Sequence, residues 1–409
     1  GVFLVSQQPQ NNKVWTSALN REAGVRPQIS TSQRIKFYDT TLRDGEQTVG
    51  VVLDPRQKLE LARQIDALGI SRIEAGFPRV STEDGEAIQL ILQANLKAEV
   101  WGFARATRAD VDELARLNLK FSVIEIPTSD IKLKAYGIAR EEAVRRATDA
   151  VTYAKKHGIY VAFFPVDSTR ADLGFLKTIY RAAHGAGADE AVVVDTIGAC
   201  GPEAVEFLVV KVREWLGEKI PVHFHGHNDF GLATACAVAA VRAGATWIQG
   251  TINGMGERAG NADLGEVALA LQCLYGVPVA MDLTRIREVS RIVQEASGYQ
   301  LEPWKPVVGE NLFVRESGAV ASQFHIPEAI EPFSADLVGA RRQIVLGKKS
   351  GLDSVALKAK ELGLQISESQ RSSVLAAVKS KGIAARRLLT DAEFRTIVQQ
   401  VCESSPNPK

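Results

Sequence analysis

Three of the six histidines stand at alternate positions in His223-Phe224-His225-Gly226-His227-Asn228-Asp229. On a strand, residues i, i+2 and i+4 point to one face, so this spacing turns the imidazoles the same way. A second stretch, Phe37-Tyr38-Asp39-Thr40-Thr41-Leu42-Arg43-Asp44-Gly45-Glu46-Gln47, places the carboxylate of Asp44 beside Arg43 at a glycine turn after an apolar strand. If both stretches open into one barrel mouth, the imidazoles and Asp44 share a divalent cation. Asn261, closing the glycine-rich run from Asn253 to Asn261, offers a further oxygen donor. His223, deeper along its strand, reads as a core histidine, and His157, His184 and His325 are isolated and receive no role in this cluster. The glycines of residues 254–260 lack the spacing of a dinucleotide fingerprint.

The elements that must position these groups recur with a regular beat. Short β-branched strands alternate with amphipathic helices whose apolar residues lie three and four apart, as in Leu61, Ile65 and Leu68. Strands are expected at 35–39, 72–76, 100–103, 121–126, 160–164, 191–195, 222–225 and 247–251. Each is followed by a helix, the last over 264–275. Near-continuous apolar strands argue for a parallel sheet covered on both sides, and eight strand–helix units are the number that closes a (β/α)8 TIM barrel. Barrel enzymes carry their chemistry at the C-terminal ends of the strands, and the polar residues gather there. Asp39, Arg43, Asp44 and Gln47 follow strand one, Glu74 lies on strand two and Arg105 follows strand three. Ser129 and Lys132 follow strand four, Asp167 and Arg170 strand five, and Asp195 and Thr196 close strand six.

Composition narrows the class. The chain has 409 residues, 45% of them hydrophobic, enough for one large domain and an appendage. A net charge of +1 speaks against nucleic acid or a membrane surface as the main partner. No apolar run reaches the length of a membrane span. The four cysteines, Cys200, Cys236, Cys273 and Cys402, form no CxxC pair, which suggests neither a disulfide framework nor a zinc ribbon and points to a reducing cytoplasm. Four segments are expected: a polar N-terminal arm at 1–33, the barrel at 34–280, a proline-containing connection at 281–345 and a small helical subdomain at 346–409. The final Ser-Ser-Pro-Asn-Pro-Lys is expected to be disordered.

A family resemblance rests on six segments in order. They are Asp39-Thr-Thr-Leu-Arg-Asp-Gly-Glu-Gln, Glu74-Ala-Gly-Phe-Pro, Thr128-Ser-Asp, Asp195-Thr-Ile-Gly, His225-Gly-His-Asn-Asp and Asn253-Gly-Met-Gly-Glu-Arg-Ala-Gly-Asn. The chain resembles the metal-dependent acyltransferases and lyases of the homocitrate synthase and 2-isopropylmalate synthase family, most of all the nitrogen-fixation type of homocitrate synthase. The resemblance extends over about residues 34–351, since Lys305-Pro-Val-Val-Gly-Glu and Gly347-Lys-Lys-Ser-Gly are similar to post-barrel segments.

The resemblance implies condensation of an acyl-CoA, in the first instance acetyl-CoA, with a 2-oxo acid by a homodimer. It implies zinc, manganese or magnesium held by Asp44, His225, His227 and Asn261, with Arg43 steadying the oxyanion as a catalytic group. Thr196 would bond the substrate carboxylate, Glu74 would be the second catalytic position and line the pocket with Gln47, and Arg105 and Ser129 join Gln47 as substrate-binding positions.

Departures from the family pattern are equally specific. Val320 and Ile330 stand where the synthases keep a histidine and a tyrosine, Val166 replaces the glutamate of a Glu-Asp pair, and Lys132 and Lys349 replace histidines. Lys132, Glu316 and His325 are candidate replacement bases. Arg315 and Lys132 suggest a more anionic substrate, because arginine favours bidentate pairing with such groups. The alternative activity is an aldolase, lyase or decarboxylase reaction on a related 2-oxo acid without acetyl-CoA.

Overall fold

The computed structural model describes residues 13–22, 24–25, 29 and 35–404. Most of the expected N-terminal arm, and the expected loose tail beyond Ser404, lie outside them. The chain forms two compact units, Ala18–Leu301 and a second made of the N-terminal residues through Ser17 together with Glu302–Lys409.

In the first unit eight parallel strands close into a barrel in sequence order, with β1 (Lys36–Asp39) paired to both β2 (Arg72–Gly76) and β8 (Trp247–Gly250). Between them run β3 (Glu99–Arg105), β4 (Phe121–Pro127), β5 (Tyr160–Val166), β6 (Glu190–Asp195) and β7 (Val222–Gly226). The expected TIM barrel is therefore the fold. Its interior is filled by alternate residues of these strands, including Tyr38, Trp101, Phe103, Val123, Ala162, Phe164, Val192, Val194 and Trp247. One charged cluster is buried low in this interior. The Arg72 guanidinium lies 3.6 Å from the Trp247 ring centroid and donates to Glu190 at 2.6 Å and Glu99 at 2.7 Å.

The surrounding helices begin where side chains can satisfy the free amides of a helix start. Asp54 forms a capping box ahead of α1 (Pro55–Ala67), with Pro55 at the first position where no amide is needed. Ser81 caps α2 (Thr82–Gln93) and Thr107 caps α3 (Arg108–Arg116). A short helix not anticipated from periodicity, α4 (Asp130–Tyr136), starts at Ser129 and stops at Gly137 in the left-handed conformation. It has too few turns to show an apolar stripe. Then follow α5 (Arg140–Lys156), α6 (Leu173–Gly185), α7 (Pro202–Leu216), α8 (Ala233–Arg242), α9 (Leu264–Leu274) and α10 (Ile286–Ser297).

In the second unit, the connection expected to be irregular holds two short parallel strands, β9 (Val314–Arg315) and β10 (Gln343–Ile344), and one helical turn, α11 (Gly318–Ala321). The described start of the arm is not loose. Val14 bridges Phe333, and the Trp15 amide donates to the Pro332 carbonyl at 2.8 Å. Helices α12 (Leu352–Glu361), α13 (Glu368–Ala385) and α14 (Asp391–Ser404) pack around Val355, Val374, Val378, Phe394 and Val398. No described helix is long and apolar enough to cross a membrane.

Candidate active site

The turn after β1 is built by its own short polar side chains. Asp39, fully buried, accepts from the Thr41 amide at 2.9 Å and the Thr41 hydroxyl at 2.8 Å. Burial pushes its carboxyl up to about 7, against the pull of those bonds. The turn so fixed delivers Arg43 and Asp44 to the mouth. Arg43 lies over the Phe103 ring, 4.1 Å from its centroid, and its Nε donates to Glu74. Glu74 in turn accepts from the Tyr38 hydroxyl, and from Thr40 at 2.8 Å. Glu74 has no exposed surface and holds Arg43 in place. The Nη2 of Arg43 is buried with no hydrogen-bond partner among the described residues.

Asp44 faces both predicted histidines. Its Oδ2 lies 3.2 Å from Nε2 of His225 and 3.5 Å from Nε2 of His227. Burial works to protonate Asp44, but Arg43, His225 and His227 together hold its carboxyl well below the usual range. Burial lowers the pKa of His225, opposed by Asp44. An ionised carboxylate beside neutral imidazole is the protonation state a cation requires. Potential ligand atoms of Asp44, His225 and His227 all lie within 4.8 Å of one another. Two buried polar atoms at this place, Oδ1 of Asn261 and Nδ1 of His227, have no hydrogen-bond partner among the described residues. The donor set therefore fits a divalent cation, with Asn261 as the neutral oxygen.

Asn261 is presented by the glycine-rich turn and an antiparallel bridge to His227, and its amide nitrogen donates to the Met255 carbonyl at 2.9 Å. Two glycines make this possible. A Cβ on Gly260, at φ +86°, would meet the Gly254 carbonyl oxygen at 1.9 Å, and one on Gly256 would meet the Asn261 amide nitrogen at 2.3 Å.

A hydrogen-bonded line runs from His225 down the barrel. His225 Nδ1 lies 3.1 Å from Gln249 Oε1, Gln249 Nε2 lies 3.1 Å from His223 Nδ1, and His223 Nε2 lies 2.6 Å from Glu190. Reading donors against acceptors assigns the protons: Nδ1–H on His225, which leaves Nε2 open toward Asp44, and Nε2–H on His223. Hydrogen bonds of this kind orient metal-binding imidazoles. Gln249 and Glu190 were not anticipated, although a polar residue inside the apolar run Trp247-Ile-Gln-Gly is a visible signal.

The remaining predicted residues are distributed unevenly. Thr196 accepts from the Asp167 amide at 2.7 Å. The Ser129 hydroxyl donates to Asp167, so Ser129 helps hold the strand ends together. Arg105 is exposed and forms a two-pronged pair with Asp110, at 2.9 and 3.0 Å. Gln47 is exposed and Lys132 half-buried. Arg315, in the second unit, is spent on the carbonyls of Leu312 at 2.7 Å and Val314 at 3.0 Å, with Glu331 at 3.4 Å. One carboxylate escaped notice: Glu125, half-buried at the end of β4, the lone charge in Phe121-Ser-Val-Ile-Glu-Ile-Pro.

Comparison with known proteins agrees with this geometry. Residues 34–293 match the HMGL-like family model, and residues 307–386 match the homocitrate synthase post-HMGL domain-like model. The chain is 44% identical to homocitrate synthase AksA of Methanopyrus kandleri, over 92% of this chain and 95% of that protein. It is 39% identical to the 2-isopropylmalate synthase of Methanocaldococcus jannaschii, over 91% of this chain and 73% of the relative. The fold is also that of the HMG-CoA lyase of Bacillus subtilis, with a TM-score of 0.59 at 18% identity, covering 66% of this chain and 95% of that one. With more than half of its length in the matched barrel and the post-barrel region following in order, the chain belongs to the HMGL-like family, as an acyltransferase enzyme.

Proposed function

We propose that the protein condenses the acetyl group of acetyl-CoA with a 2-oxo acid, as the names of its synthase relatives imply for them. The observation that carries this reading is the buried, unpartnered Nη2 of Arg43 beside the cluster of Asp44, His225 and His227. A 2-oxo acid offers adjacent keto and carboxylate oxygens, and that corner presents a fixed cation next to a metal-binding set. A divalent ion held by Asp44, His225, His227 and Asn261 would supply Lewis-acid polarisation of the ketone.

The protein's own groups do the rest. Glu74 and the Phe103 ring fix Arg43 before substrate arrives, so little reorganisation is needed when charge develops on the keto oxygen. Thr196, whose oxygen already accepts from the Asp167 amide, keeps its hydroxyl proton for a substrate carboxylate. Lys132, half-buried, is a further cation for a longer acidic substrate.

The test is incubation with acetyl-CoA, Mn2+ or Mg2+ and a panel of 2-oxo acids, following free thiol. Release of CoA with at least one acid is expected, and none with any acid would overturn the proposal. The same reading takes the working unit to be a homodimer. Sedimentation at assay concentration checks it, and a monomer would remove that part.

A further inference from the structure

The proposed condensation requires a base for the acetyl methyl group, and the inward end of β5 offers only Val166, packed against the barrel's apolar interior. The other carboxylates at the strand ends are committed. Asp39 holds Thr41, Asp44 faces the histidines, and Glu74 holds Arg43. Asp167 is gripped by Ser129 and Arg170, and Asp195 accepts from Thr169 at 2.8 Å and the Ala199 amide at 3.0 Å. The carboxylate of Glu125 has no hydrogen bond or ion pair among the described residues, and it keeps some exposure to the mouth.

Its direction follows from strand alternation. Phe121 and Val123, four and two positions earlier, pack into the barrel interior, so Glu125 points inward at the open end. It is level with Arg105 on β3 and Phe164 on β5, and the Phe164 ring lies 5.1 Å from the ring of His225. Neighbouring strands lie about 4.8 Å apart, so a glutamate side chain on β4 reaches the space above Val166.

We propose that Glu125 is the catalytic base of this enzyme, a carboxylate on β4 working where β5 presents only valine. This rests on the condensation reading above. The acetyl methyl C–H bond breaks, its proton goes to a Glu125 oxygen, and its electron pair moves into the thioester carbonyl to give an enolate. The enolate carbon then bonds to the ketone carbon of the 2-oxo acid. The resulting alkoxide takes the proton back, which regenerates the carboxylate, and hydrolysis of the thioester by water releases CoA.

The surroundings suit the task. Burial raises Glu125, Arg43 and Arg105 lower it, Asp110 raises it and Lys132 lowers it, leaving the carboxyl pushed up to about 7. A base is most effective when its pKa lies near the working pH.

The near-isosteric Glu125→Gln tests the proposal. The expected result is a fall in kcat of about 100- to 10,000-fold, with 2-oxo acid KM and Mn2+ affinity by calorimetry changed by less than about threefold, a split that general disruption of the mouth would not give. The rise of wild-type kcat/KM through about pH 7 should disappear in the variant. The double variant Glu125→Gln/Val166→Glu, which returns a carboxylate to the neighbouring strand end, should recover at least about tenfold of the loss. Glu125→Gln within about tenfold of wild type would overturn the assignment.

A second measurement stands apart from the substrate question. In 13C-glutamate-labelled protein, the carboxyl resonance missing from Glu125→Gln should titrate near 7. Titration below about 5 would overturn the assignment even if no 2-oxo acid released CoA, an outcome that would sink the condensation reading on its own.

Discussion

Replacing Gln249 by leucine isolates the hydrogen-bonded line beneath the candidate metal site from the site itself. Gln249 is fully buried and is not itself a candidate ligand. It accepts from His225 Nδ1–H and donates to His223, each at 3.1 Å. Leucine is close to glutamine in size and fills the space, so the main loss is the two bonds. His225 would then be free to rotate or to carry its proton on Nε2, the atom that faces Asp44 at 3.2 Å. Loss of such an orienting partner costs about 10- to 100-fold in metal affinity, or about 1.4 to 2.7 kcal/mol at 1.36 kcal/mol per decade. Two buried polar atoms left unpaired also cost about 1–3 kcal/mol each, so the metal-free protein should melt several degrees lower. Calorimetric titration with Mn2+ and a thermal melt of metal-free protein read the two effects separately. Mn2+ affinity within about threefold of wild type would refute the role of Gln249 in holding His225, whatever the melt shows.

Two further outcomes follow from the same structure. Arg43→Lys removes the planar fork that reaches both Glu74 and the free Nη2 position. Loss of a charged hydrogen bond worth about 1.5–3 kcal/mol should lower kcat/KM for the 2-oxo acid about 10- to 150-fold in steady-state assays, and a change under threefold would remove Arg43 from the ligand. Glu190 is buried, and burial alone would raise its carboxyl, but His223 and Arg72 lower it to about 2. A depressed carboxyl contributes stability that is present above its ordinary pKa near 4.5 and lost as pH falls toward 2, here about 3 kcal/mol. Glu190→Gln should therefore unfold more easily at neutral pH in urea, and its stability should depend less on pH between about 4.5 and 2. An unchanged acid limb would refute the assignment.

The barrel was legible because its signal is redundant: eight apolar strands and helices with three-and-four spacing all call for the same buried layers, and errors of one residue at their ends change nothing. The histidine alternation and the Arg43-Asp44 turn were legible for a similar reason, since strand geometry alone turns His225 and His227 one way. Helix α4 was missed because seven residues carry too little periodicity, and the strands at Val314 and Gln343 because two-residue strands carry none. The residue type of Arg315 suggests an anion-binding role. Its bonds to the Leu312 and Val314 carbonyls are local, and only the pairing with Glu331 depends on how the chain folds back.

By itself, then, the order of residues determined the closed barrel, the mouth at which chemistry occurs and the donor types available there. Whether each polar group is spent or free was decided by tertiary packing, because hydrogen bonds join residues far apart in sequence. Glu74 was expected in the pocket and is consumed by Arg43; Gln249 and Glu190 drew no attention and set the proton positions of two histidines. Glu125, unremarkable in the sequence, is the strand-end carboxylate that folding leaves without a hydrogen bond or ion pair among the described residues.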